Sequence, residues 1–349
     1  MSGGDYLWDG KGEPDAEVRE LEERLRPLRR LPPQPAWPAE GGGKKRWRWA
    51  GLAAAAVVTI AFVASVLRSP VAREGWGLRW LEGDSWSDSR VVREETLGVG
   101  EWIETRAARA RLSVGTSGDE IGEVQLEPRT RVGLVDPGER AHRLSLSRGV
   151  MHATIWAPPG DFVVDTPSAV AVDMGCRYTL EVDEQGAGLL RVEAGWVGFE
   201  HRGLQSLVPA GAMCATRTGI GPGTPSFETA SRAFALALEA IDFGPAGQAR
   251  QQALERVLTE ARPRDALSLW HLLARLDGED RGRVFDRLKA LVPPPKGVTR
   301  DGILRGERAM RELWWDALGL DSSEFWRMWT GSWSDRTPRD ERDEAKAGR

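Results

Sequence analysis

One stretch constrains the rest of the chain. From Trp49 to Leu67 the sequence reads "WAGLAAAAVVTIAFVASVL", with no charged residue, and it is closed off by Arg48 and Arg68. Wound into a helix at about 1.5 Å per residue, it covers roughly the 30 Å hydrocarbon layer of a bilayer. The run therefore predicts a transmembrane helix over 49–67. A buried soluble helix is the alternative, because the alanines make the run only moderately apolar. A cleaved signal peptide fits less well, since such peptides begin with a short basic stretch and this run lies far from the N-terminus. Lys44, Lys45, Arg46 and Arg48 crowd the N-terminal flank, against Arg68 and Arg73 on the other. The positive-inside bias then places the N-terminus in the cytoplasm. The expected location is the cell (inner) membrane, single pass, with the C-terminal domains extracytoplasmic (periplasmic), where a disulfide can persist.

The N-terminal arm, 1–48, opens with "DYLWDGKGEPD" and continues into "AEVRELEERLRPLRR". Pro14 suits a first helical turn, and the acidic-then-basic order matches the helix dipole. Val18, Leu21, Leu25 and Leu28 fall on one face at helical spacing. So short a helix cannot bury that face alone, which leaves a partner-binding helix or a solvated tether with residual helicity. "LPPQPAWPAEGGG" after Arg30 is a Pro/Gly linker that fixes no orientation.

Beyond a juxtamembrane connector, 68–94, the pattern becomes short alternating stretches separated by Gly, Pro and Asp. "ARLSV", "GEVQLEP", "TRVGLVDPG", "HRLSLSRG" and "VMHATIW" each read as a strand ending in turn chemistry, and so many close-spaced strands imply an all-β roll, sandwich or solenoid over 95–217. One stretch, "FVVDTPSAVAVDMGCRYTLEV" (Phe162 to Val182), could be taken for an active site built on Asp173, Cys176 and Tyr178. Period two instead puts Cys176, Tyr178, Leu180 and Val182 on one inward face. Asp165 and Asp173 stand where strands end and an Asp side chain can accept a following backbone N–H.

The stretch "RLSLSRGVMHATIWAPPGDFVVDTPSAVAVDMGCRYTLEVDEQGAGLLRVEAGWVGF" resembles the FecR domain. The resemblance is carried, in order, by the steps "VDTP" (Val164 to Pro167) and "VDMG" (Val172 to Gly175), the strand Tyr178 to Val182, and the closing "VEAGWV" (Val192 to Val197). It covers 95–217 and, more loosely, the arm. It implies a single-pass membrane regulator, an anti-sigma factor or transmembrane sensor, relaying an extracytoplasmic signal to an extracytoplasmic-function sigma factor. Tyr6, Leu7, Trp8, Val18, Leu21, Leu25 and Leu28 would then form the cytoplasmic partner surface. Residues 1–48 contain neither His nor Cys, which excludes the zinc-binding arm that many anti-sigma proteins carry.

The chain has two cysteines. Cys176 faces inward, and in "AGAMCATR" alternation groups Cys214 with Ala212. The pair is a disulfide candidate, with two buried free thiols as the alternative. After "GIGPGTP" the period returns to that of helices, over five amphipathic segments from "FETASRAFALALEAI" to "TRDGILRGERAMRELWWDALG". They predict an all-α domain over 226–330, with Trp270, Trp314, Trp315, Trp326 and Trp329 filling its core or its junction with the β domain, or lining a groove. The charged end, 334–349, reads as a disordered tail.

The expected fold class is thus multidomain: a short cytoplasmic helix, one transmembrane helix, an all-β extracytoplasmic FecR-like domain and a C-terminal all-α domain. A net charge of −4 gives no reason to expect direct nucleic-acid binding. His142, His152, His201 and His271 show no metal-ligand spacing, and no nucleophile elbow, Walker loop or dinucleotide turn is present. The reading is a non-enzyme with no catalytic residue, no metal and no cofactor. Its rival is a membrane-tethered envelope protein that binds an extracytoplasmic partner without cytoplasmic signalling.

Overall fold

The computed structural model describes residues 75–320 apart from 84, 117, 139 and 140. The arm residues Tyr6, Leu7, Trp8, Val18, Leu21, Leu25 and Leu28, the basic flank Lys44, Lys45, Arg46 and Arg48, the apolar run 49–67, and Trp326 and Trp329 lie outside the described residues.

The expected fold class is overturned within that range. Among the described residues no helix is long and apolar enough to cross a membrane. A large sheet of sixteen strands dominates, and the helices share its core instead of forming an all-α domain of their own. The stretch read as a connector contributes β1 (Gly75–Glu82) and the start of β2 (Arg90–Gly98). β1 buries Trp76, Leu78 and Leu81, with a register shift between Trp80 and Leu81 that breaks the simple alternation. β2 pairs with β1 alone, and its exposed Arg90, Arg93, Glu94 and Glu95 blunt an edge that would otherwise invite pairing.

The other strands are β3 (Trp102–Glu104), β4 (Arg109–Val114), β5 (Gly122–Leu126), β6 (Arg131–Pro137), β7 (His142–Ile155), β8 (Phe162–Asp165), β9 (Val170–Asp173), β10 (Arg177–Val182), β11 (Gly188–Ala194), β12 (Trp196–His201), β13 (Leu204–Pro209), β14 (Ala212–Arg217), β15 (Gly221–Pro222) and β16 (Ser226–Phe227). Pairing is antiparallel except between β7 and β8. One half of the sheet runs β2-β1-β4-β5-β7-β10-β11-β14, with β15 and β16 on β14. The other runs β3-β6-β7-β8-β9-β12-β13.

β7 belongs to both halves, and its sequence shows how. Leu144 and Leu146 are buried in its first part, Met151, Ala153 and Ile155 in its second, so the inward phase flips midway. Gly149 sits at the flip with φ +101°, where an added Cβ would lie 2.4 Å from Thr130 Cα. The buried Thr130 hydroxyl bridges Val150 N (3.0 Å) and Val150 O (3.1 Å), satisfying backbone groups at the bend. A register shift at Arg131/Val132 lies opposite. The two halves face each other: Trp76 of β1 packs its ring 6.1 Å from His142 and 6.2 Å from Phe162. Burying one Trp is worth on the order of 5 kcal/mol of apolar transfer.

The helices are α1 (Arg232–Phe243), α2 (Gln248–Glu260), α3 (Ala266–Arg275), α4 (Gly278–Leu291), α5 (Arg300–Leu304) and α6 (Arg308–Asp316). Ser231 caps α1 by accepting from Phe234 N at 3.0 Å. α3 is buried at every position from Ala266 to Leu273, so other structure covers all of its faces. Trp314 and Trp315 of α6 are fully buried, with Trp315 against Trp270 (4.5 Å) and Trp196 of β12 (5.7 Å). The apolar core is therefore continuous from sheet to helices.

Candidate functional site

Two places on this body concentrate polar chemistry. The first is the corner at the end of β9. Asp173 is 1% exposed; its Oδ1 accepts from Gly175 N and its Oδ2 from the Cys176 thiol, both at 2.6 Å. Gly175 has φ +78° and Gly195 φ +74°, and a Cβ on Gly195 would lie 2.4 Å from Gly175 O. The "VDMG" and "VEAGWV" steps are thus two halves of one interlocked backbone crossing, which requires glycine at both positions.

Burial pushes the Asp173 carboxyl up to about 7, despite the hydrogen bonds from Cys176 and Gly175 that oppose the shift. The Cys176 thiol is raised well above its ordinary value by burial and then by the adjacent Asp173. It is therefore held as the neutral donor, the form least suited to nucleophilic attack. Tyr178 is buried beside them, its hydroxyl without a hydrogen-bond partner among the described residues. Alternation placed Cys176, Tyr178, Leu180 and Val182 on one inward face, and they are buried there. Asp173 does accept the following backbone N–H. Asp165 does not: it takes a two-pronged pair from Arg143 of β7 (2.7 and 2.6 Å), and the Thr166 hydroxyl closes the turn on Ala169 N at 3.0 Å.

The expected bond between Cys176 and Cys214 is not made; both are free and buried. Cys214 instead donates to Gly223 O at 3.2 Å, and burial pushes its thiol up to about 12. An inward face shared along a sheet does not bring two sulfurs together when the cysteines sit on β14 and on the approach to β10, with β11 between those strands.

The second place is the seam between sheet and helices. Arg275, at the end of α3, donates to Pro222 O (2.8 Å), Ser206 Oγ (2.6 Å) and Gly223 O (3.0 Å), and lies 3.8 Å from Asp242 of α1. Asp242 in turn accepts from Thr224 N (2.6 Å) and Thr224 Oγ1 (2.9 Å). His271, one turn before Arg275, accepts from Leu207 N at 3.0 Å through Nε2 and donates to Leu267 O at 2.9 Å through Nδ1. Those two bonds require the neutral ring, and burial pushes its pKa down to about 3. None of Ser206, Thr224, Asp242 or Arg275 was singled out from the sequence. The available signal was a His and an Arg four apart on the helix with the fewest other polar positions.

Two recesses flank this seam. One of about 330 Å³ lies between α1 and β14, with Leu189, Met213, Arg217 and Phe243 in its walls. The other, about 590 Å³, is walled by Trp196, Pro209, Phe227, Arg264, Leu267 and Leu318, with the Arg264 guanidinium 4.3 Å over the Phe227 ring. Both are of ligand-pocket size. Among the described residues no cluster of His, Cys, Asp and Glu is arranged to hold a metal.

No protein-family model and no curated protein matches the chain. Among solved structures it is similar to two crystal structures from Parabacteroides distasonis ATCC 8503, both provisionally named anti-sigma factors. One, at 1.65 Å resolution, is 12% identical with a TM-score of 0.32 over 39% of this chain and 63% of the other. The second, at 2.50 Å, is 13% identical with a TM-score of 0.32 over 45% and 74%. The first match therefore spans less than two thirds of that protein. A TM-score of 0.32 is too low for a shared fold to be claimed.

Proposed function

We propose that this protein is a regulator that works by binding other proteins, and that the partner of its N-terminal arm, 1–48, is a sigma factor of the extracytoplasmic-function type. What supports the reading is the FecR-like series itself. Its residues are not scattered over the sheet: Asp173, Gly175 and Gly195 meet in one backbone crossing, where Asp173 accepts from Gly175 N and the two glycines take positive φ. A random run of Val, Asp and Gly would not be expected to close such a corner. In this reading the described body receives the signal and the arm carries the apolar face of Val18, Leu21, Leu25 and Leu28 to the sigma factor.

Affinity purification of the tagged full chain tests this. The full chain should recover a sigma factor, and the chain lacking residues 2–40 should not. Recovery of no sigma factor by either would sink the proposal. A second reading, a binding protein with no cytoplasmic signalling, is favoured by the 590 Å³ recess, whose Trp and Phe walls suit a ligand. Deleting residues 2–40 without any change in transcription would select it.

A further inference from the structure

The helical end holds a feature that neither the corner nor the seam uses. We propose that the pocket enclosed by α3, α4, α5 and the start of α6 binds a small oxyanion, a phosphoryl or carboxylate group. Its volume is about 80 Å³, suited to one such group and too small for a whole nucleotide or sugar. Arg281, Arg308 and Arg311 all line it, together with Glu307 and the apolar Leu273 and Ile303.

The argument rests on where the charges are satisfied. Glu307 is taken by Arg305, at 3.0 Å from Nε and 2.6 Å from Nη2. Arg308 is taken by Glu312 at 2.5 Å. Arg281 is held rigid by two carbonyls, Leu276 O at 2.7 Å and Leu304 O at 2.9 Å, and has no carboxylate partner among the described residues. Arg311 lies 4.9 Å over the Trp270 ring, and its buried Nε has no partner among the described residues. Stacking satisfies the face of a guanidinium but not its edge, where the five N–H donors lie. Two guanidinium groups with no hydrogen-bonded carboxylate among the described residues therefore line one pocket. Burial, followed by the charge of Arg308, pulls the Arg311 pKa down; Glu312 opposes the shift, and Arg281 and Arg275 add to it. An oxyanion between Arg281 and Arg311 would supply the missing acceptor and a further negative charge among three arginines.

The test is titration calorimetry and thermal melting of the full chain with inorganic phosphate, acetate and chloride at one fixed ionic strength. Phosphate or acetate should raise the melting temperature beyond what chloride does, and Arg311→Met, which keeps an apolar chain over Trp270, should weaken that binding at least about tenfold. Tighter phosphate than acetate assigns a phosphoryl ligand; equal or tighter acetate assigns a carboxylate. Arg308→Gln, at an exposed position already paired with Glu312, should weaken binding less than Arg311→Met, and it reports on the pocket if the latter fails to fold. Equal shifts from all three anions, or anion binding untouched in both variants, would overturn the proposal.

Discussion

Replacing Asp173 by asparagine keeps the outline of the side chain and an oxygen for Gly175 N, removes the ability to ionise, and puts an amide NH2 where Oδ2 accepts from the Cys176 thiol, a change whose cost does not vary with pH. The pH dependence of the difference between the two proteins therefore measures what a charge costs at the β9 corner. An unfolded Asp releases its proton near 3.8, whereas the buried group holds it to about 7. Between those values the native state binds more protons than the unfolded state, so the contribution of the protonated group is present in full below about pH 4 and is lost as pH rises through about 7. At about 1.4 kcal/mol per pKa unit the loss amounts to about 4 kcal/mol. His271 works in the other direction: burial holds its native pKa at about 3 against 6.5, so stability is lost as pH falls through that range. The raw pH profile mixes these two slopes. Subtracting the wild type from Asp173→Asn cancels His271, because both proteins carry it in the same place. Urea unfolding followed by Trp fluorescence at pH 4.5, 6 and 8 should show the variant gaining up to about 4 kcal/mol on wild type between the lowest pH and the highest. A difference that stays flat from pH 4.5 to 8 would show that Asp173 titrates as an ordinary carboxylate and that its burial is not what governs it.

Two further outcomes follow from the seam and the thiols. Arg275→Met strips the buried Asp242 of its nearest counter-charge and removes the guanidinium that donates to Ser206 Oγ, Pro222 O and Gly223 O, of which Gly223 O keeps Ser206 and Cys214 as donors; it should cost about 3–5 kcal/mol in urea unfolding, with part of that recovered on adding Asp242→Asn. A loss under about 1 kcal/mol would place the strength of the seam elsewhere. Cys176 and Cys214 should both react with an aromatic disulfide reagent in urea without prior reduction and be silent in the native protein. Fast native reaction would contradict their burial, and no reactive thiol in urea would mean that the two are bonded after all.

The strands were legible where alternation runs undisturbed, as from Tyr178 to Val182, and lost where a local device interrupts it. β1 hides behind two glycines and the register shift at Trp80/Leu81. β7 reads as two strands, "HRLSLSRG" and "VMHATIW", because Gly149 looks like a stop; in three dimensions it is one strand of 14 residues whose bend is held by a hydroxyl from Thr130. Asp165 and Asp173 are alike in sequence, each following a valine at a strand end. Only the long-range partner separates them: Arg143 reaches Asp165 across a parallel pair, while the fold buries Asp173 against Cys176. The guanidinium groups of Arg281 and Arg311 were equally invisible as a pair, since helix packing brings them to one pocket.

The same logic explains why helical periodicity suggested a separate domain where none exists. An amphipathic helix says that one face is covered and does not say by what. α3 could have settled it, because a helix in an independent bundle keeps a polar outer face, whereas α3 offers only Ser268, His271 and Arg275 before its end. Each is spent on the sheet side of the seam: Ser268 on Pro225 O at 2.7 Å, His271 on Leu207 N, Arg275 on Ser206, Pro222 and Gly223. Removing the helices would therefore leave unpartnered backbone groups on the sheet, and removing the sheet would expose the apolar faces that α3 buries and take away the partners of His271 and Arg275. Sheet and helices are one folding unit for that reason.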